Sequence, residues 1–423
     1  MIRQSLRWLI KPSPSANIDE RNYRYIMMDA AGIGVANSAA PFLNIFLVNL
    51  GATNTQIGIL ASLPALAGFF MVLFVGQFIQ KKGNLTKWAS ISIWMTYSGY
   101  FFTGLLPFFI PKESLVVGIL IVWGIITIPQ TVMGVSYPIM LNSVAGENGR
   151  FELTTRRWAF LGCITAILTA LTGQVIEWIN YPFNYQIIFM VLSIGGIICF
   201  SAVRNIRLPN NPSINTNISF KGQLKQYLLI IKENKNFTSF VFKRFIHFLG
   251  ATLVGPIVSL YYIREVGANA GWIGIFSTTA TITLIIGYFF WLRMSHKIKT
   301  INILLLTTLI IGLWPLLLST TKNEGLIVVF LIMVGFFQAG IDLVFFDELM
   351  KTIPAGKSTL FISVNMLFQH LANFIGPLLG TSLAEVIGLR NVLIVGSGIK
   401  LLAFMLFAFG VVQNKQKIKQ SAI

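Results

Sequence analysis

Apolar residues along this chain come in runs of about twenty, separated by short polar breaks. The runs fall at 25–48, 55–79, 86–109, 115–141, 157–178 and 183–203, then at 237–262, 272–292, 300–319, 324–345, 359–384 and 390–412. Each is long enough to cross a hydrocarbon core of ~30 Å as a helix. Nothing in them shows the ten-residue alternation of an outer-membrane strand, so helices are the expected way to satisfy the backbone in lipid. The longest polar stretch, about 204–236, divides the runs into two sets of six. Within it Phe220, Leu224, Tyr227, Leu228 and Ile231 recur at helical spacing among Lys221, Lys225 and Lys232. That pattern suits either a helix lying on the membrane surface or a solvated connector.

The distribution of Lys and Arg supports twelve crossings. With the N-terminus assigned to the cytoplasm, 27 of the 32 basic residues fall on the N-terminal segment, alternate loops and the C-terminus. Four (Lys112, Arg264, Lys322 and Arg390) fall on the opposite side, and Lys400 lies inside a span. One missed or surplus helix would scramble this asymmetry, which is the positive-inside pattern of a multi-pass protein with both termini cytoplasmic. The net charge of +18 is therefore read as topological, holding loops at an anionic inner leaflet of the cell membrane. It is not read as a nucleic-acid site. Met1 to Asp19 has no apolar core long enough for a cleaved signal peptide.

Composition agrees: 55% of residues are hydrophobic and 11% charged, against roughly 25% charged in a soluble domain. The two cysteines, Cys163 and Cys199, both sit in spans without metal or redox spacing. There is no P-loop, and Gly32-Ile33-Gly34 lacks the third glycine of a dinucleotide fingerprint, Asn37 standing in its place. No cofactor and no metal site are expected. A membrane-embedded transferase would need a convergent acid/base cluster, whereas His247, His296 and His370 are scattered over different elements. A non-transporting receptor or scaffold stays open on these grounds.

The two sets of runs are related. Leu50-Gly51-Ala52-Thr53-Asn54-Thr55-Gln56-Ile57-Gly58-Ile59 returns as Val266-Gly267-Ala268-Asn269-Ala270-Gly271-Trp272-Ile273-Gly274-Ile275, with five of ten positions identical at an offset of 216. Pro41 and Pro256 recur nearby, one residue out of register, and Gln80-Lys81 falls onto His296-Lys297. An even number of helices per repeat predicts parallel halves, a substrate site near the midplane and alternating access by rocking. The expected divisions are 1–203, a linker at 204–236 and 237–423.

The loop after the second span reads Gly76-Gln77-Phe78-Ile79-Gln80-Lys81-Lys82-Gly83-Asn84. It resembles the loop motif of the major facilitator superfamily: Gly76, Gly83 and a basic residue at Lys81 match, while Gln80 stands at the acidic position and Asn84 at the following arginine. Gly149-Arg150-Phe151 through Arg156-Arg157 is similar to the family's arginine-bearing loop before the fifth helix. Phe374-Ile375-Gly376-Pro377-Leu378-Leu379-Gly380 is similar to the Gly-Pro turn of the eleventh. The fourth span, Val122 to Gln130, lacks the arginine of proton-driven drug exporters, and the fifth lacks the antiporter Gly-Pro motif. The resemblance covers essentially the whole chain. It implies an all-α membrane fold of two six-helix bundles whose first, fourth, seventh and tenth helices line the solute path.

Ionisable groups at membrane depth cost roughly 2.5–3.5 kcal/mol each on insertion scales and so mark candidate sites. Asp342, with Gly335, Gln338 and Phe346, forms one face of the tenth span. That face suits a solute or proton, or else the carboxylate pairs with a loop lysine near the inner interface. Asp29 suits proton or cation coupling, or an ion pair with Arg156 or Arg157 at the cytoplasmic gate. Lys400 either neutralises an intramembrane acid or serves structure alone. Asn37, Pro41 and Asn44 share a face of the first span; Gln130 and Ser136 lie in the fourth, His247 and Ser259 in the seventh. Asn365, Gln369 and Asn373 form a stripe on the eleventh beside His370. Any one of these serves equally as a helix-packing hydrogen bond. His247 is a candidate proton relay. The expectation is a monomeric secondary transporter of a small polar or amphipathic solute, coupled to protons, with export favoured over uptake by the Phe-rich interior.

Overall fold

A computed structural model of the chain describes residues 19–82, 84–208, 220–295, 297–353 and 358–421. Among them there is no strand. The helices are α1 (Glu20–Asn37), α2 (Ala40–Asn49), α3 (Asn54–Lys82), α4 (Leu85–Leu105), α5 (Lys112–Trp178), α6 (Phe183–Leu192) and α7 (Ile194–Arg204). Then follow α8 (Phe220–Glu233), α9 (Lys235–Leu260), α10 (Ala270–Ser295), α11 (Thr300–Ser319), α12 (Glu324–Lys351), α13 (Ser358–Ile387) and α14 (Leu389–Ser421). Nine segments among the described residues are by themselves long and apolar enough to span a membrane. The second, third and eleventh predicted runs fall on α3, α4 and α13.

Several predicted runs are built differently from a plain helix. The first breaks after Asn37 and restarts at Ala40, because Pro41 has no N–H to give residue 37 and its ring crowds that carbonyl. Ser38 covers the break by donating its hydroxyl to the Val35 carbonyl. The fourth and fifth runs are joined in one stretch of helical hydrogen bonding, Lys112–Trp178. Even so, Arg157 Nε donates to the Tyr137 hydroxyl at 2.9 Å. Twenty residues of straight helix would separate these positions by ~30 Å, so the chain reverses direction between them, past Pro138.

The internal repeat is visible in local geometry. Gly51 and Gly267 take positive φ values of 90° and 75°, a left-handed conformation open to glycine without strain. Two residues on, Thr53 accepts from the Gln56 N–H and Asn269 from the Trp272 N–H, each capping the helix that follows. Equivalent residues therefore end one helix and start the next in both halves.

The chain forms two compact units. The first comprises Met1–Ala52, Leu66–Asn217 and Asn269–Thr278; the second comprises Thr53–Ala65, Ile218–Ala268 and Thr279–Ile423. The transposed segments begin at Thr53 and Asn269, the same offset as the sequence repeat. In the first unit, Gly274 lies against the Thr169 carbonyl and Gly173 against that of Ala270, with Thr278 Oγ1 donating to the Ala166 carbonyl at 2.9 Å. In the second, Gly58 lies against Thr381, and Thr55 donates to Glu385 through its N–H and its hydroxyl. Small residues let helix backbones meet where lipid supplies no hydrophobic drive.

The core of the second unit packs Trp291, Leu304, Ile311, Phe345 and Phe407 together. Helices α9 and α13 approach closely beside it: a Cβ on Gly380 would sit 2.3 Å from the Leu253 carbonyl, whereas one on Gly398 of α14 would meet nothing. Overpacking costs typically ~1–3 kcal/mol. Gly380→Val should therefore lower the melting temperature of the purified protein by several degrees more than Gly398→Val. Equal shifts would show that the α9–α13 approach is not a constraint.

Candidate functional site

Two groups of charged side chains lie inside the units. In the first unit α1 brings Asp29 beside Tyr137 and Arg157 of α5. The Asp29 side chain is 0% exposed, and Arg157 Nη2 lies 3.4 Å from its Oδ2 with a side-chain exposure of 6%. Tyr137 donates a short hydrogen bond to the same carboxylate oxygen. Arg157 Nε donates in turn to the Tyr137 hydroxyl, and its guanidinium lies over the Tyr137 ring at 4.6 Å from the centroid. The triad joins three positions far apart in sequence. Of the partners open for Asp29, Arg157 makes the ion pair; Arg156 is buried beside it. Asp29 Oδ1 has no hydrogen-bond partner.

In the second unit Asp342 lies on α12, about two-thirds of the way from Glu324 to Lys351. Gln338 Nε2, one turn earlier, donates to Oδ1 at 2.8 Å, and the Tyr288 hydroxyl of α10 donates to Oδ2 at 2.8 Å. Among the described residues Asp342 pairs with no loop lysine. Lys351 is held by Asp347 at 2.7 Å and Glu348 at 2.8 Å, and donates to Thr300 at the start of α11. Asp342 is nonetheless exposed on its helix face.

Beside it, α9 carries Arg244 and His247. Arg244 Nη1 donates to Asn365 Oδ1 of α13 at 2.7 Å. The Arg244 guanidinium lies 5.0 and 5.3 Å from the ring centroids of Phe248 and Phe345. His247 is 3% exposed, its ring set against Phe345 at 5.2 Å. Lys400 of α14 is 4% exposed, its stem packed where Gly250 leaves room.

Of the remaining sequence candidates, Asn37 and Asn44 are half-buried on either side of the α1–α2 break, and Gln369 is half-buried on α13. Gln130 is half-buried with its Oε1 enclosed and without a partner. Gly76 and Lys81 fall in the last turns of α3, where side chains are outside the described residues, and Gly83 lies outside them altogether. No cluster of three or more His, Cys, Asp or Glu able to hold a metal occurs among the described residues.

Three participants escaped sequence reasoning: Tyr137, Tyr288 and Arg244. The tyrosines carry no local signal, since aromatic residues fill the same spans. Arg244 did carry one. It lies within the apolar run 237–262, one turn before His247.

Residues 240–422 match the model of the Major Facilitator Superfamily. Comparison with curated protein sequences gives no match. Among solved structures, the nucleoside transporter NupG superposes with a TM-score of 0.67 at 14% identity, over 92% of this chain and 98% of that one. A mutant of NupG gives 0.68 at 14% identity, over 92% and 99%. A bacterial homologue of the iron transporter ferroportin, in an inward-facing state, gives 0.73 at 12% identity, over 92% and 98%. The chain has the fold of these transporters, with nine helices among the described residues long and apolar enough to cross a membrane. The matched segment covers less than half of the chain, and the superposed structures show that the whole chain shares their fold.

The Asp29–Tyr137–Arg157 triad makes a stability prediction. Removing one member of a buried ion pair typically costs ~3–5 kcal/mol, because the other is left uncompensated. Asp29→Asn and Arg157→Met should each lower the melting temperature sharply, and the double variant should recover part of the loss. A double variant equal to the sum of the singles would show that the two charges are not coupled.

Proposed function

We propose that this transporter moves a small solute by alternating access, that protons drive it, and that Asp342 is the group that takes up and releases the coupled proton. One observation carries this reading: a carboxylate well inside an apolar helix is exposed on the same face as Gln338 and within reach of Tyr288. A carboxylate facing lipid at that depth is strongly disfavoured, and intramembrane acids face protein or water-filled space. The space beside Asp342 is therefore read as water-filled and continuous with the solute path. The two donors hold the charged form while water is present, and each can rotate away when the carboxyl group is protonated.

The proposed working parts are the sequence halves 1–203 and 237–423, joined by 204–236, with both termini in the cytoplasm and the monomer as the active unit. The protein is placed in the cell membrane, where each proton entering gains ~2.3 kcal/mol per 100 mV. The triad on Asp29 is given a structural role, since every member already bonds another. Export is the proposed direction, for an amphipathic solute that the aromatic interior accommodates.

Proteoliposomes test the reading with a solute panel, an imposed pH gradient and a protonophore. Wild type should show protonophore-sensitive flux. Asp342→Asn should abolish gradient-driven flux while leaving the melting temperature near wild type. Undiminished driven flux in that variant would remove Asp342 from the coupling step.

A further inference from the structure

We propose that the second unit holds an organic-anion site built from Arg244, His247 and Lys400, and that the transported solute is a small amphipathic anion. The inference rests on the transport reading above and adds a substrate class to it.

The charge balance of the unit's interior carries the argument. Arg244 makes one hydrogen bond, to neutral Asn365, and its Nε is buried without an acceptor. His247, one turn further along α9, has its Nδ1 buried without a partner. Lys400 is nearly fully buried midway along an apolar helix. Among the described residues neither Arg244 nor Lys400 belongs to any ion pair. Asp342 acts on Arg244 only at longer range, its oxygens being engaged by Tyr288 and Gln338. On α9 Arg244, His247 and Gly250 follow at three-residue spacing, and the Lys400 stem lies against Gly250, so the two cations sit on either side of the imidazole.

In the first unit the buried Arg157 has a carboxylate and a hydroxyl in contact. A buried cation without a counter-charge is costly, and two in one region call for an anion that the described residues do not supply.

The surroundings define the body of that anion. Phe248 and Phe345 flank the Arg244 guanidinium, and Phe345 also meets His247. A carboxylate or sulfonate would accept from Arg244 Nε and the neighbouring cations, while an apolar or aromatic body packs on the rings. Lys243, next in sequence, takes no part: its ammonium points to Gly410 and the Phe407 ring on α14.

The test uses the full chain in lipid nanodiscs and calorimetric titration with three matched probes. These are 1-naphthoate, the uncharged 1-naphthylmethanol and the cationic 1-naphthylmethylammonium. Naphthoate should bind at least tenfold more tightly than either other probe and should raise the melting temperature. Arg244→Gln and Lys400→Met should each weaken naphthoate at least tenfold. Lys400→Met should also melt above the unliganded wild type, because it removes an unpaired cation. If Arg244→Gln fails to fold, the wild-type probe series and Lys400→Met decide. Equal affinity for the three probes, preference for the ammonium, or unchanged naphthoate affinity in Lys400→Met would each overturn the site. Naphthoate binding without naphthoate flux in proteoliposomes would keep the site and defeat the transport reading. Proton-driven flux of uncharged solutes with no anion preference would do the reverse.

Discussion

The cost of placing charge inside a bundle surrounded by lipid governs this molecule. In water Arg157, Arg244, Lys400, Asp29 and Asp342 would be solvated at little expense. Inside apolar helices each must find a partner, a water-filled space or a ligand. The first unit meets the requirement internally, with Asp29, Tyr137 and Arg157 forming a closed set across α1 and α5. The second unit leaves Asp342 on an exposed face and two cations without a carboxylate. Asp29 and Arg157 thus neutralise one another, whereas Arg244 and Lys400 have no carboxylate in contact among the described residues.

Close helix packing is what allows such precision. Gly173 and Gly274 in the first unit, and Gly58, Gly376 and Gly380 in the second, sit where an added Cβ would meet a neighbouring backbone or threonine. Hydroxyls complete these contacts: Thr252 donates to the Ala372 carbonyl and Thr278 to that of Ala166. Backbones held this near one another restrict motion to rigid-body displacement of helices, which is what the proposed alternating access requires.

Much of the architecture was legible in the chain. Apolar run lengths located the helices, and the repeat at Leu50 and Val266 marked equivalent places that reappear as paired left-handed glycines and paired caps. The apolar count drew the first span as continuous and passed over Pro41, where the helix breaks. Asp29 and Asp342 stood out as acids at membrane depth. The site's tyrosines did not, because a tyrosine in an apolar span looks like any other aromatic until a carboxylate arrives opposite it.

The sequence alone thus determined which segments are helical and apolar, where the duplication lies, which loops carry basic charge and that Asp29, Asp342 and Lys400 fall within apolar runs. All of these depend on neighbours a few residues apart. Only the tertiary structure decided that Asp29 pairs with Arg157 and not Arg156, that Tyr288 reaches Asp342, and that the segments beginning at Thr53 and Asn269 pack in transposed units. Adjacent arginines point in directions about 100° apart on a helix, and which of them meets an acid more than a hundred residues away is set by helix packing, which no local pattern encodes.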